Sequence, residues 1–410
     1  MAAESPYRVR AVHCDHLASD EVVYQALKRA TDPLTRSWDK IRRARRITIK
    51  FNQVFPPDRR QMRDGLLQEL VDAKVAHATL RLLRDQNPTA EILCPDTSPE
   101  AHHAGVPFST NVAHARLLQE FGAQLIDSDE PPHRVCPVPG GGLMFRQYLL
   151  PGAVVDTDAF VSVAKMKNHA FMGVTLCMKN LFGLPPLEPH GRSRTYFHHI
   201  IRLSHVLVDL VRIAQPTLNI VDGLVGQSGR EWGGEGRTGD VLLAGDHPVA
   251  TDACGAHLMG FDPLSDWPNQ PFVRDRSSIR IAHDDGYGTA DLSRIDFQSE
   301  VAAPVAEFRT VETDSAERVR AWRRSTCEQA LYYRDHQREL SAQHAGQYIL
   351  LQHNQVVWAN PSSELGHSRR NLAGGRPDSA LFLKLADPEE REGEHFEVYE
   401  QNLRQMQAQG

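Results

Sequence analysis

Apolar positions along the first half of the chain switch between a strand-like and a helix-like period. ITIKFNQVF (47–55) is a β-branched and aromatic run bounded by Pro56 and Pro57, which predicts a buried strand entering a loop with Lys50 and Asn52 near its C-terminal end. From Met62 to Arg84 the apolar residues Leu66, Leu67, Leu70, Val71 and Val75 recur at helical spacing and predict a helix. EILCPDTSP (91–99) then predicts a strand and a polar turn. A helix around Val112–Phe121, stopped by Gly122, leads into a strand at AQLID (123–127). Strand and helix alternating at this spacing predict a parallel sheet covered by helices on both faces.

The pattern continues past the glycine-rich turn PGGGL (139–143), with a further strand inside AVVDTDAFVSVAKMK (153–167). Arg202–Ala214 gathers Leu203, Val206, Leu207, Leu210 and Val211 on one helical face, Pro216 ends it, and TLNIVDGLVG (217–226) is a strand running into glycines. DVLLAGDHP (240–248) is the next strand, followed by a helix that begins near Val249 and ends at Gly260. Beyond about residue 300 the composition shifts. Val311–Leu340 is a charged helical stretch, GQYILLQHNQVVWAN (346–360) is a hairpin turning at His353-Asn354, and the acidic tail (386–405) predicts an exposed amphipathic helix. The expected fold is α/β, a mostly parallel sheet with helices on both faces over residues 1–300, plus a small C-terminal α+β module over 301–410.

Composition narrows the functional classes. The 410 residues carry 46 Lys and Arg against 52 Asp and Glu, a formal net charge of -6, so there is no excess positive field of the kind that nucleic-acid or anionic-membrane binding uses. The N-terminal stretch has no apolar run of signal-peptide length and nothing reaches the ~18–20 apolar residues of a membrane span, which predicts a cytoplasmic protein. The six cysteines (Cys14, Cys94, Cys136, Cys177, Cys254, Cys327) are scattered without a CxxC pair, and are expected to be mostly reduced, structural thiols. Twenty histidines are an excess that hints at proton transfer or metal ligation.

The chemistry concentrates in AKMKNHAFMGVTLCMKNLFG (164–183), where Lys165, Lys167, His169, Thr175, Lys179 and Asn180 lie among apolar neighbours. Lysines are rarely buried unless paired or functional. A strand ending near Lys165 or Lys167 would set these amines at the carboxyl edge of the sheet, where open α/β folds place ligands. Gathered cations suit a carboxylate, a phosphate or a developing enolate, and a crowded lysine is pushed toward the range where it serves as a base. Lys165, Lys167, His169, Lys179 and Asn180 are the catalytic candidates; Lys50, Asn52 and Thr175 are candidates for binding. The competing role of each lysine is an ion pair with Asp156, Asp158 or Asp222, and that of the histidine is a structural donor.

Two further blocks join this one. IVDGLVGQSGREWGGEGRTGD (220–240) reads as a strand and a glycine-rich loop that could present amides to an anion, with Asp222, Gly223, Gly226, Arg230 and Glu231 as binding candidates; it is neither GxGxxG nor a P-loop. In GDHPVATDACGAHLMGFDP (245–263), Asp246 is expected to cap the helix, and Asp252 could serve as a counter-charge to the lysines. His190, His198 and His199 are metal candidates without recognisable ligand spacing.

At these residues the sequence resembles the domain-of-unknown-function family 362 (DUF362), found widely in bacteria and archaea. The resemblance rests on K-x-K-x-H followed by V-T-x-x-x-K-N-x-x-G, met here by Lys165 to Gly183, and on the 220–226 and 245–263 blocks. It spans roughly residues 45–290. It implies an α/β domain and a shared site around Lys165, Lys167, His169, Lys179, Asn180, Asp222 and Asp252. Many members carry an appended cysteine-rich ferredoxin-like module; this chain lacks those cysteines, so no iron–sulfur cluster is expected. Its loop at 226–239 departs from the family's shorter G-x-G-P pattern. The arrangement of Lys and His at a sheet edge is similar in style to nickel-cofactor lactate racemases.

The expected function is therefore an enzyme binding a small anionic or carbonyl substrate at the Lys/His cluster, with isomerase-, racemase- or lyase-type proton transfer. The alternatives are a metal- or cofactor-dependent redox protein and a non-catalytic ligand-binding or assembly protein. The cofactor is left open, with room for a divalent metal. The expected partner is a small anion, without nucleic acid or membrane, and a homo-oligomer is compatible with the chain.

Overall fold

The computed structural model describes residues 6–187, 195–363 and 381–408. Its main sheet contains β1 (Arg8–His13), β2 (Arg46–Phe51), β5 (Glu91–Asp96), β6 (Ala123–Asp127), β9 (Ala159–His169), β10 (Gly173–Thr175), β11 (Leu218–Ser228), β12 (Glu235–Gly245) and β13 (Asp296–Ser299). Small antiparallel pairs are formed by β3 (Met62–Arg63) with β4 (Leu66–Leu67) and by β7 (His133–Pro137) with β8 (Gln147–Pro151). A third sheet has β14 (Tyr348–Gln352) between β15 (Gln355–Asn360) and β16 (Phe382–Leu385).

The order across the main sheet is β13-β1-β12-β11-β9-β2-β5-β6, with β10 folded back on β9. The run from β6 through β5, β2 and β9 to β11 is parallel, whereas β12 joins β11 as an antiparallel hairpin. All eleven residues of β9 are buried, as expected for a central strand covered on both faces. Its side chains alternate: Val161 and Val163 pack with the helices Asp20–Thr31 and Ala73–Gln86, and Phe160, Ala164 and Met166 pack with the helices Arg202–Ala214 and Pro248–Leu258. The α/β reading with helices on both faces is what the structure has.

Strand order reverses at β2. The chain leaves β2 for β5 through the helix Ala73–Gln86 on one face, and later returns on the other side of β2 as β9, whose connection to β11 runs through Arg202–Ala214 on the opposite face. Diverging connections open a crevice outside the carboxyl ends of the two strands, the usual ligand position in such sheets. Lys50 and Asn52 stand at one side of it and Lys167 and His169 at the other.

Two expected elements differ. Residues 62–72 are not helical: Asp64 and Gly65, with φ of 52° and 83°, make a two-residue turn between β3 and β4, and the helix starts only at Ala73 behind its cap Asp72. The glycine-rich stretch after 226 is largely hairpin, with Ser228 paired to Glu235, so its loop is reduced to residues 229–234. Residue 301 onward brings the helices Ala316–Asp335 and Gln337–Gln343, the β14–β15 hairpin turning at His353-Asn354, and the C-terminal helix Glu397–Ala408. That last helix is amphipathic but not simply exposed: Val398, Tyr399 and Met406 are buried in the same apolar cluster as Val9 and Phe160.

Candidate functional site

A cavity of about 280 Å³ opens at the carboxyl edge between β2 and β9. Lys50, Asn52, Asp96, Lys167, His169, Thr175, Lys179, Asn180, His198, Glu231 and Trp232 are among its lining residues. Eight of the residues singled out in the sequence as catalytic or binding candidates thus meet in one place: Lys50, Asn52, Lys167, His169, Thr175, Lys179, Asn180 and Glu231.

Lys167 occupies the centre of the chemistry. Its Nζ donates to the backbone oxygen of Glu69 at 2.6 Å and of Glu231 at 3.3 Å, and lies 4.1 Å from the centre of the Trp232 ring. Among the described residues no carboxylate pairs with it. Burial pulls this amine down to about 7; the Glu231 and Glu69 carboxylates draw it upward, while Lys179 and Lys165 push it further down. An uncharged amine has two N–H groups and one lone pair. The two carbonyl oxygens account for the N–H groups and leave the lone pair as the reactive position.

His169 is fixed in one tautomer. Its Nδ1 accepts from the backbone amides of Phe171 at 3.1 Å and Met172 at 3.2 Å, so the ring proton sits on Nε2. Burial, with the charges of Lys179, Lys167 and Arg274, holds the ring well below 6.5. It is a neutral hydrogen-bond donor through Nε2. Gly173 permits this arrangement, since its φ of +75° lets the chain reverse into β10 and a Cβ there would lie 2.8 Å from Phe272.

Lys50 is held in an ion pair with Asp96 at 2.8 Å and donates to the oxygen of Phe51 at 2.8 Å. Lys179 stands 4.7 Å from the centre of the Phe182 ring. Asn180 donates through Nδ2 to the oxygens of Lys50 (2.8 Å) and Val163 (3.2 Å) and to Oγ of Ser162 (3.1 Å), which ties the short helix Cys177–Asn180 across β2 and β9.

The remaining sequence candidates do not line the cavity. Lys165 and Asp222 form a wholly buried pair at 2.9 Å, and Asp222 also accepts from the Asp72 amide at 2.8 Å, so Asp222 and not Asp252 supplies the counter-charge. Asp252 accepts from the amides of Cys177 and Met178, both at 2.8 Å, and burial pushes its carboxyl up to about 7; it braces the segment that presents Lys179. Asp246 does not cap the helix. His247 takes the cap position, and Asp246 instead accepts from the Arg8 amide at 2.9 Å and pairs with Arg36 at 2.6 Å. Gly223 and Gly226 serve strand packing, because a Cβ would lie 2.7 Å from Val241 and 2.6 Å from the oxygen of Met166 respectively. Arg230 is exposed. Among the histidines, His198 lines the cavity, His199 is tied to the Leu381 oxygen at 2.6 Å, and His190 lies outside the described residues.

Asp96, Glu69 and Trp232 were not singled out in the sequence. Asp96 carried a signal, since it ends a strand just before a polar turn. Trp232 stacks on Phe55 with ring centres 3.9 Å apart and an angle of 5°, a contact between segments far apart in sequence.

The six cysteines do not line the cavity. All six are free and buried, with burial as the main cause pushing the thiols of Cys14 and Cys136 up to about 11 and those of Cys94 and Cys327 to about 12. Among the described residues, the two groups that bring three metal-binding side chains together are Asp15, His16 and Asp240, and Glu390, Glu392 and Glu394; neither contains a cysteine or lies in the cavity. No helix among those residues is long and apolar enough to cross a membrane.

A thylakoid-associated protein of Synechocystis sp. is 27% identical over 127 residues, which are 30% of this chain and 38% of that protein. The matched stretch thus spans well under half of that relative. Among solved structures, the lactate racemase apoprotein of Thermoanaerobacterium thermosaccharolyticum aligns over 62% of this chain and 56% of its own at 14% identity, with a TM-score of 0.37. The family model of the domain of unknown function DUF362 matches residues 63–257, which hold Lys165 to Gly183 and the β11–β12 hairpin. That is the family whose sequence blocks this chain resembles.

Proposed function

We propose that the chain is an enzyme acting on a small anionic carbonyl or hydroxy compound, by proton transfer of the isomerase, racemase or lyase type. The observation that carries this reading is Lys167, an amine held in a cavity without a carboxylate partner and brought to about 7 by burial. Near neutral pH a large fraction of it is uncharged and can take a proton from carbon, a step worth ~10²–10⁴-fold when the base is well placed.

The charge that develops on the substrate oxygen would be met by the His169 Nε2–H and the Lys179 ammonium, both brought to the cavity by the β9–β10 turn and the helix that follows. A neutral imidazole suits this task because it stabilises an oxyanion by donation without protonating it outright. The Lys50–Asp96 pair is already neutralised and fits a positioning role. The substrate anion is expected to be free in the cytoplasm.

The test is solvent exchange. The protein is incubated in D2O with a panel of small 2-hydroxy and 2-oxo acids, and deuterium at the carbon next to the carboxylate or carbonyl is read by NMR. Incorporation that rises through about pH 7 and is lost in Lys167→Met supports the reading. Undiminished incorporation in that variant removes Lys167 as the base.

A further inference from the structure

Three oxygen atoms of residues lining the cavity have no hydrogen-bond partner: Oδ1 of Asn52, Oγ1 of Thr175 and Oδ1 of Asn180. Thr175 and Asn180 are each only 4% exposed. Buried polar groups are nearly always paired, and leaving one unpaired costs ~1–3 kcal/mol, so three in one cavity wall call for a reason. The orientation of Asn180 is not arbitrary. Its Nδ2 donates to two backbone oxygens and a serine hydroxyl, and turning the amide over would set its oxygen against two carbonyls. The Asn180 oxygen is thus an acceptor without a donor.

A bare carboxylate or oxo acid could accept from the Thr175 hydroxyl but satisfies neither amide oxygen, because at neutral pH it has no N–H or O–H to give. The cavity offers donors for an anion, in Lys179 and the His169 Nε2–H, and separately offers acceptors that ask for hydroxyl groups. An ammonium is the poorer way to fill them, since it would stand beside the Lys179 side chain.

We infer that the ligand is a carboxylic acid bearing two or more hydroxyl groups, of the sugar-acid type, with its carboxylate toward Lys179 and His169 and its hydroxyls donating to Asn52, Thr175 and Asn180. This rests on the proposed reading of the cavity as an anionic-substrate site and narrows its substrate class.

The test is calorimetric titration of the full chain with glycerate and gluconate, against propionate and hexanoate at the same ionic strength. The hydroxylated acids are expected to bind ~100-fold or more tightly than their deoxy partners, each satisfied buried acceptor contributing about 5- to 150-fold. Thr175→Val removes a hydroxyl that has no partner, so its unfolding midpoint is expected to be unchanged or raised while its gluconate affinity falls at least about fivefold. Equal affinity for hydroxylated and deoxy acids overturns the inference and leaves the anionic-site reading standing. Binding of none of the four overturns both.

Discussion

Lys50 and Asp96 are joined at 2.8 Å across neighbouring parallel strands, and Gly183 lies against the pair so closely that a Cβ there would come within 2.5 Å of Lys50 Cε and 2.7 Å of Asp96 Oδ1. The glycine that ends the V-T-x-x-x-K-N-x-x-G block is therefore placed by an ion pair formed elsewhere in the chain. Gly183→Ala is expected to cost ~1–3 kcal/mol of stability by overpacking a site whose neighbours are themselves buried. Urea unfolding checks it; a change below about 0.5 kcal/mol would mean that the pair moves aside freely.

The amine of Lys167 also leaves a mark on stability. From about pH 7 up to the ordinary lysine range, the unfolded chain holds a proton on this residue that the folded chain has released. Stability therefore rises with pH across that window, and the penalty for burying the group is fully present below it. Lys167→Met removes the group, so the excess stability of the variant over the parent should be largest below pH 7 and shrink as pH rises. A difference independent of pH contradicts the assignment.

Trp232 covers the Lys167 amine, with Phe55 stacked behind it. Since burial is the largest cause of the downward displacement, opening this cover to water should return the amine toward its ordinary value of about 10.4. In Trp232→Ala the pH midpoint of the deuterium exchange should move upward. An unmoved midpoint would assign the displacement to the neighbouring lysines instead.

Lys165 and Asp222 are expected to behave as structure. Either Lys165→Met or Asp222→Leu alone strands a buried charge and should cost ~3–5 kcal/mol, whereas the double substitution should recover most of that loss. Unfolding of the three variants checks this. A double variant no better than the singles would show that Asp222 matters chiefly through its bonds to the amides of Asp72 and Leu224.

Much of this arrangement was legible in the sequence where local pattern and tertiary demand agree. The buried runs at 47–51 and 159–167, the helix 202–214 and the hairpin turning at His353-Asn354 carry their periods openly, and the lysines and histidine at 165–169 announce a site by being polar in a buried strand. The failures have physical causes. Leu66, Leu67, Leu70 and Val71 have helical spacing, yet Asp64-Gly65 is a hairpin turn signal that overrides it. The glycines after Asp222 invite a ligand-binding loop, although Gly223 and Gly226 are small because Val241 and the Met166 backbone press on them. Lys165 and Lys167 share one face of β9 and cannot be told apart by pattern; what separates them is Asp222 on the next strand, a contact between residues 57 positions apart. The same holds for Trp232, which reaches Lys167 only once the β11–β12 hairpin is formed.

The central claim is that Lys167 is an amine with a strongly lowered proton affinity facing a cavity at the point where the strand order reverses. It is tested most directly by NMR titration of the chain labelled with carbon-13 at lysine Cε, with Lys167→Met assigning the resonance. The account predicts one lysine signal that titrates with a midpoint near 7 and vanishes in the variant. A Lys167 signal that does not move until about pH 10, as ordinary lysines do, would contradict it.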